Sequence, residues 1–169
     1  MIQGVDVRID PTARLKNAIM FGDHVAIGMC VYCSVLLYTG NWVHIASLTS
    51  IIGGIKASLR IGSFAGISTG ARIICGSEDF VNSLLGIIPE ELRTTIHGNN
   101  IIEDFAWVGA GGIVMPNIVM AKGSVLGAGG VLTKNTEPWT VYAGVPARPV
   151  KMRNKELILA NAYKLGYEH

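Results

Sequence analysis

Aliphatic residues recur every six positions along most of this chain. From Ile9 the leading residue of each six is Ile9, Leu15, Phe21, Ile27, Cys33, Thr39, Ile45 and Ile51. Four places after each leader stand Ala13, Ile19, Val25, Val31, Leu37, Val43, Thr49 and Ile55, nearly all apolar or small. The residue after the leader is often small, as at Gly22, Gly28, Gly40 and Ala46. The ladder breaks at Ala57-Ser58-Leu59-Arg60 and resumes at Ile61, Ile67 and Ile73. An insertion at about residues 79–101 follows, and the ladder restarts at Ile102, Val108, Val114, Met120, Leu126 and Leu132. A helix repeats at about 3.6 residues and a half-buried strand at about 2, so neither yields a strict six. Six residues suffice for one short strand and a turn, and three such units make a triangular coil. The leader then points inward, small residues permit the corner, and each backbone donor and acceptor pairs with the coil above or below.

The pattern therefore predicts an all-β fold, a parallel β-helix over residues 1–152 with apolar columns stacked into one core. Pro146 and Pro149 end the ladder, and residues 153–169 change character. Asn154 stands where a helix cap is wanted. Leu157, Ile158, Ala162 and Leu165 roughly follow a helical stripe, and Gly166 is placed to stop it. The expectation is a helix from about Lys155 to Leu165, packed on the coil end or on a neighbouring subunit.

Composition asks how so apolar a chain stays in water. Half of its residues are hydrophobic, with 21 glycines, and mean hydropathy is +0.42. No run of about 18 apolar residues lacks a charged, polar or Gly break, so no membrane span is expected. Met1 to Thr12 carries Asp6, Arg8 and Asp10, unlike the apolar stretch of a signal peptide. A net charge of +2 is too small to imply nucleic acid. Three cysteines, an odd number with no secretory signal, point to a reducing, cytoplasmic setting. Cys30 and Cys33 have C-x-x-C spacing, but no second pair or nearby His completes a zinc set. They read as two packed thiols in a strand, and no metal site is expected.

Four histidines are available for proton transfer. His169 is terminal, and a mobile end is expected there. His24 lies early in the ladder. His97 lies in the insertion, where it can approach a substrate. His44 ends a six-residue unit, in the same repeat phase as Glu78. From the residues alone, His44 fits a surface corner as well as a catalytic role. No serine or cysteine sits in a nucleophile motif such as G-x-S-x-G.

The segment Trp107 to Lys151, WVGAGGIVMPNIVMAKGSVLGAGGVLTKNTEPWTVYAGVPARPVK, carries the most specific signal. With the aliphatic-Gly pairs Ile27-Gly28, Ile61-Gly62, Val108-Gly109 and Leu126-Gly127, it resembles the hexapeptide-repeat acyltransferase superfamily. The resemblance covers about Ile9 to Lys151. It implies a left-handed coil, a homotrimer with active sites between subunits, and acetyl-coenzyme A as cosubstrate. It carries pantetheine binding to Ala110 and Ala128, and the phosphate end to Thr133, Lys134 and Arg148, where cations suit the chemistry. In maltose- and galactoside-type members a catalytic His ends the unit before the long loop. Here that unit is Ile73 to Glu78, so Glu78 takes its place. Ala121-Lys122 replaces the usual Gly after a leader, and Asn117 replaces the Gly often found after the coil proline.

Polysaccharide-linked sugar O-acetyltransferases are the more similar branch. They resemble this chain at Val43-His44-Ile45-Ala46 before Gly53-Gly54, and at Ser77-Glu78-Asp79-Phe80, Leu84-Leu85-Gly86 and Pro89-Glu90-Glu91. This match implies His44 as general base, with Glu78 and Asp79 orienting it or binding sugar hydroxyls. The expected function is O-acetylation of a sugar or nucleotide sugar in surface polysaccharide biosynthesis. N-acetylation of an amino-sugar nucleotide and a non-catalytic scaffold are the alternatives. A β-helical γ-type carbonic anhydrase needs three clustered His ligands, which the wide spacing of these histidines does not resemble.

Overall fold

The computed structural model describes residues 2–168. Short parallel strands build three faces of a β-helix. The first face stacks Ile2–Gln3, Ala18–Phe21, Leu36–Thr39, Ser58–Ile61, Asn99–Ile102 and Val119–Met120. The second stacks Arg8–Ile9, Ala26–Ile27, His44–Ile45, Gly66–Ile67, Trp107–Val108, Val125–Leu126 and Thr140–Ala143, with Arg148–Met152 closing it antiparallel. The third stacks Arg14–Leu15, Tyr32–Cys33, Ser50–Ile52, Arg72–Ile74, Ile113–Val114 and Val131–Leu132. The regular step is one coil of 18 residues, as in the register Ile9↔Ile27↔Ile45.

The leaders fill the core. Every one from Phe21 to Leu132 is buried. Thr39, the poorest apolar leader, is only 1% exposed, and its hydroxyl has no hydrogen-bond partner. That omission costs about 1–3 kcal/mol, which the packed column around it must offset.

The second column differs from expectation at two places. Ile19 is 37% exposed because the register shifts between Ala18 and Met20. Ala18 pairs with Leu37 instead, and the extra residue turns outward. Ile55 is 67% exposed because it belongs to inserted chain, while Ala57 and Leu59 point inward. The break in the ladder is therefore at about residues 53–56, and Ser58–Ile61 is already coil, stacked on Leu36–Thr39. The long excursion is likewise shifted from the expected 79–101. Gly76–Glu78 and Thr95–His97 form an antiparallel hairpin at its root. Asn99–Ile102 has rejoined the first face. Asn100 is fully buried there. Its Nδ2 donates to the Met115 carbonyl at 3.0 Å, and its Oδ1 accepts from the Ile118 amide at 3.4 Å. Both insertions leave from the corner between the third and first faces.

The corner between the first and second faces needs left-handed backbone in every coil. Asp6, His24, Trp42, Phe64, Phe105 and Trp139 all have positive φ there. Such a conformation costs a non-Gly residue about 1–2 kcal/mol. Stacking offsets it. His24 and Trp42 stack at 3.9 Å, Phe64 and Phe105 at 5.3 Å, and Phe105 and Trp139 at 5.8 Å between ring centroids. Gly123 lies between the last two, and a Cβ there would meet the Trp139 ring at 2.4 Å. Asn117 also has positive φ, 61°, a conformation Asn tolerates better than most residues. This explains its presence after the coil proline.

The helix runs Lys155–Tyr163, with Asn154 Oδ1 accepting from the Leu157 amide at 3.0 Å. It packs Leu159 and Ala162 against Phe105 and Trp139. Leu157 and Leu165, expected on the buried stripe, are exposed because the aromatic corner meets the adjacent side of the helix. Arg153 locks this junction. Its Nη1 donates to the Phe105 and Gly123 carbonyls, both at 2.7 Å. No described helix is long and apolar enough to cross a membrane.

Cys30 is exposed, whereas Cys33 and Cys75 are buried. Thus Cys30 and Cys33 are not packed together as a pair. Desolvation pushes the Cys33 thiol up to about 11. Desolvation, then the neighbouring Cys33, pushes Cys75 up to about 12. A thiol reagent should modify Cys30 alone in the folded protein and all three thiols after unfolding. An ordinary thiol ionises near 9.0. Unfolded thiols thus lose protons while the native ones keep them. This contribution to stability is full below about pH 9 and falls as pH rises towards 11. Urea midpoints measured on either side of pH 9 check the sign.

Candidate functional site

Three regions hold the residues singled out by sequence. On the second face, His44 is exposed and paired in register with Ala26 and Gly66. It lines an open groove with Arg8, Asp10, Met29 and Ser47. Gly66 has a spatial role here. Its missing Cβ would fall 2.5 Å from the Trp107 ring, which spreads over it. The Trp107 Nε1 donates to Ser68 Oγ at 2.8 Å and fixes the indole. Sequence reasoning had no signal for this Trp, because its partner lies 39 residues away.

At the corner between the third and first faces, the two insertions face each other across a cleft of about 330 Å³. Gly53–Lys56 forms one wall, and Glu78, Glu90, Arg93, Thr95 and His97 form the other. Hairpin pairing sets His97 opposite Gly76 and Thr95 opposite Glu78. Alternation then turns Glu78, Thr95 and His97 to one side of the hairpin. Lys56 Nζ reaches Glu90 Oε1 at 3.5 Å and bridges the walls. Arg93 Nη1 lies 3.7 Å from Glu78 Oε1, and Arg93 Nε is buried without a partner. Charges of both signs and a hydroxyl suit a polyhydroxyl ligand.

Asp79 is occupied differently. Its carboxylate accepts from the Asn82 side chain at 3.1 Å and from the Val81 and Asn82 amides at 2.9 and 3.1 Å. These bonds, the Asn82 side chain foremost, hold it below the usual carboxylate range. Asp79 closes the turn that opens the loop. Within one chain His97 shares the cleft with Glu78, whereas His44 lies on the second face. His24 belongs to the aromatic column, with Nδ1 3.1 Å from Asp6 Oδ2. His169 lies outside the described residues.

The residues assigned to the cofactor lie toward the C-terminal end. The register Trp107↔Val125 sets Ala110 directly below Ala128, and the Gly129 amide donates to the Ala110 carbonyl at 2.9 Å. Gly111 and Gly129 give this corner its positive φ with no side chain above it. Arg148 is exposed and pairs with Ala143 in the closing strand. Thr133 and Lys134 follow the last third-face strand and are exposed at the next corner. Among the described residues, no three His, Cys, Asp or Glu side chains are grouped as a metal site.

Comparison with known proteins gives this geometry a context. No family model matches the chain. It is 31% identical over 120 residues, 70% of its length, to the dTDP-4-amino-4,6-dideoxy-D-glucose acyltransferase of Escherichia coli. It spans 62% of that relative's own length and about half of several acetyltransferases it also matches. Over 153 residues, 90% of the chain and 69% of the relative, it is 29% identical to the putative lipopolysaccharide biosynthesis O-acetyl transferase WbbJ of Escherichia coli strain K12. Variants of AntD, an N-acyltransferase from Bacillus cereus, superpose on nearly the whole chain. The structure with dTDP and coenzyme A has a TM-score of 0.89 at 28% identity, covering 98% of this chain and 91% of that one. In sequence and in fold the chain is therefore similar to sugar acyltransferases. Its coil matches the left-handed β-helix of the acyltransferase fold on which it superposes.

Proposed function

We propose that this protein is an acetyl-coenzyme A-dependent acetyltransferase whose acceptor is a sugar. The observation that carries this reading is the superposition with coenzyme A-bound AntD across nearly the whole chain. The repeat ending in the GAGG and AGVPAR segments supports it from within the sequence. Ala110 and Ala128 offer backbone groups to the pantetheine amides along one coil edge. Thr133, Lys134 and Arg148 supply donors and positive charge for the phosphates. The likeness to WbbJ supports O-acetylation in surface polysaccharide biosynthesis. A second reading, N-acylation of a nucleotide amino sugar, is favoured by the dTDP-aminosugar relative and by AntD. Coenzyme A release assayed with hydroxyl and amino sugar acceptors separates the two. Free cysteines support a reducing, cytoplasmic location.

In this reading His44 takes the acceptor's proton as its oxygen or nitrogen attacks the acetyl carbonyl. It then returns that proton to the departing thiolate. Glu78 and Asp79 are the acidic partners, Asp79 by shaping the loop. Because His44 and Glu78 lie in separate regions of one chain, they meet only across a subunit boundary. A homotrimer provides it, and analytical ultracentrifugation should find that species and no active monomer.

Lys134→Ala and Arg148→Ala should each weaken coenzyme A binding about tenfold with little change in melting temperature. Calorimetry checks this, and unchanged affinity in both variants removes the site. His44→Ala should lower turnover by about 10²-fold or more while coenzyme A still binds. Normal turnover makes His44 structural and passes its role to His97.

A further inference from the structure

The second and third faces meet along an edge on which one residue of each coil stands over that of the coil before. The Gly129 amide donates to the Ala110 carbonyl at 2.9 Å, Gly111 to that of Thr69 at 3.0 Å, and Gly70 to that of Ser47 at 3.1 Å. Ala128, Ala110, Thr69 and Ser47 therefore form one column, with a step of about 4.8 Å per coil. With its phosphates at Lys134 and Arg148 and its pantetheine at Ala128 and Ala110, coenzyme A runs down this column. Its thioester end then reaches the coil of Ser68 and Thr69. His44 lies one coil further down, in register with Gly66.

Two hydroxyls stand at the level of the thioester. That of Thr69 is committed, since it donates to the Ser47 carbonyl at 2.8 Å. Ser68 differs. Its Oγ accepts from Trp107 Nε1 at 2.8 Å, and an indole N–H accepts nothing in return. The hydroxyl hydrogen is therefore turned away from the indole, and among the described residues no group accepts it. Ile67 is buried, so by alternation Ser68 looks out from the second face, as His44 does. The two lie one coil and two residues apart, roughly 8 Å between Cα atoms. A proton acceptor and a free hydroxyl donor thus flank the place where the thioester ends.

We propose that Ser68 is a further catalytic residue, whose hydroxyl donates to the thioester carbonyl oxygen and to the oxyanion that develops there. The proposal rests on the reading of the chain as a coenzyme A-dependent acetyltransferase. As the acceptor's oxygen or nitrogen bonds to the carbonyl carbon, the π pair of the carbonyl moves onto its oxygen, and His44 takes the acceptor's proton. Ser68 keeps its own proton and gives only a hydrogen bond. When the carbonyl re-forms, the C–S pair leaves as thiolate, which takes the proton from His44. A donor already aimed at the developing charge needs little reorganisation, which is the source of such stabilisation. The bond received from Trp107 polarises the hydroxyl and strengthens the bond it donates. Trp107 is then a positioning residue. Gly66 leaves the space through which its indole reaches Ser68, since a Cβ there would lie 2.5 Å from the ring.

The test uses the whole chain with acetyl-coenzyme A labelled at its carbonyl carbon, read by difference infrared spectroscopy. The carbonyl band should lie lower in the complex than in water. Ser68→Ala should raise it, and Ser68→Thr, which keeps the hydroxyl, should leave it low. Trp107→Phe removes the indole N–H and should raise the band part of the way. On a sugar acceptor that supports coenzyme A release, Ser68→Ala should lower kcat by about 10²-fold, with coenzyme A affinity unchanged by calorimetry. With acetyl-coenzyme A bound, a band that stays in place in Ser68→Ala overturns the proposal alone and passes the role to backbone amides. Full turnover by that variant overturns it as well. Failure of acetyl-coenzyme A to bind the unmodified protein overturns the acetyltransferase reading, and this proposal with it.

Discussion

Each coil must lie on the one before it with its backbone paired and every inward side chain above another. That stacking constraint governs the rest of the molecule. A coil of 18 residues returns each column to the same place, so one misfit would propagate. The chain absorbs irregularity only at corners. The four-residue enlargement of one coil and the long excursion of the next both leave between the third and first faces. Across the first, Thr39, Ile45 and Ile51 stack onto Ile61, Ile67 and Ile73, and across the second these stack onto Ile102, Val108 and Val114, without losing register. The backbone groups freed at the re-entry are met by the buried Asn100.

The same constraint creates the clefts and open edges. Insertions that cannot enter the core must project, and two projecting from one corner enclose the cleft of Glu78, Arg93, Thr95 and His97. Corners also need left-handed backbone. Along one edge the chain meets this with Cys30 and Leu48 in the early coils and then with glycine, at Gly70, Gly111 and Gly129, where nothing lies near a would-be Cβ. Along another it uses aromatic residues, whose stacking compensates for the strain. The glycine edge is open to a ligand's approach. The aromatic edge is rigid and gives the C-terminal helix a surface to dock on, with Tyr167 donating to Asp104 at 2.9 Å and set edge-on to Phe105. Desolvation raises the Tyr167 pKa, and the Tyr167 bond raises that of Lys122 beside it. Covering one face of the coil with a short helix leaves a groove beside Trp107 that its side chains do not fill.

The six-residue ladder by itself determined the all-β coil and its inward leaders, and the cap and apolar stripe after it determined the helix. A strict period is a local pattern, and each leader carries its own signal. The cap at Asn154 was legible for the same reason, since its bond spans three residues. Only the tertiary structure decided which residues meet. Ile19 turned outward because a bulge consumed one residue. Leu157 stayed exposed because the aromatic corner meets another side of the helix. His44 and Glu78 share a repeat phase yet lie in different regions, because phase fixes a position within a unit and says nothing of which face that unit occupies. His97 joins Glu78 because a hairpin folds the excursion back on itself, and Trp107 covers Gly66 because a coil enlarged by the excursion lands directly above it. Contacts across 18 to 41 residues depend on how many residues each coil contains. That number is settled by where inserted chain leaves and re-enters the stack.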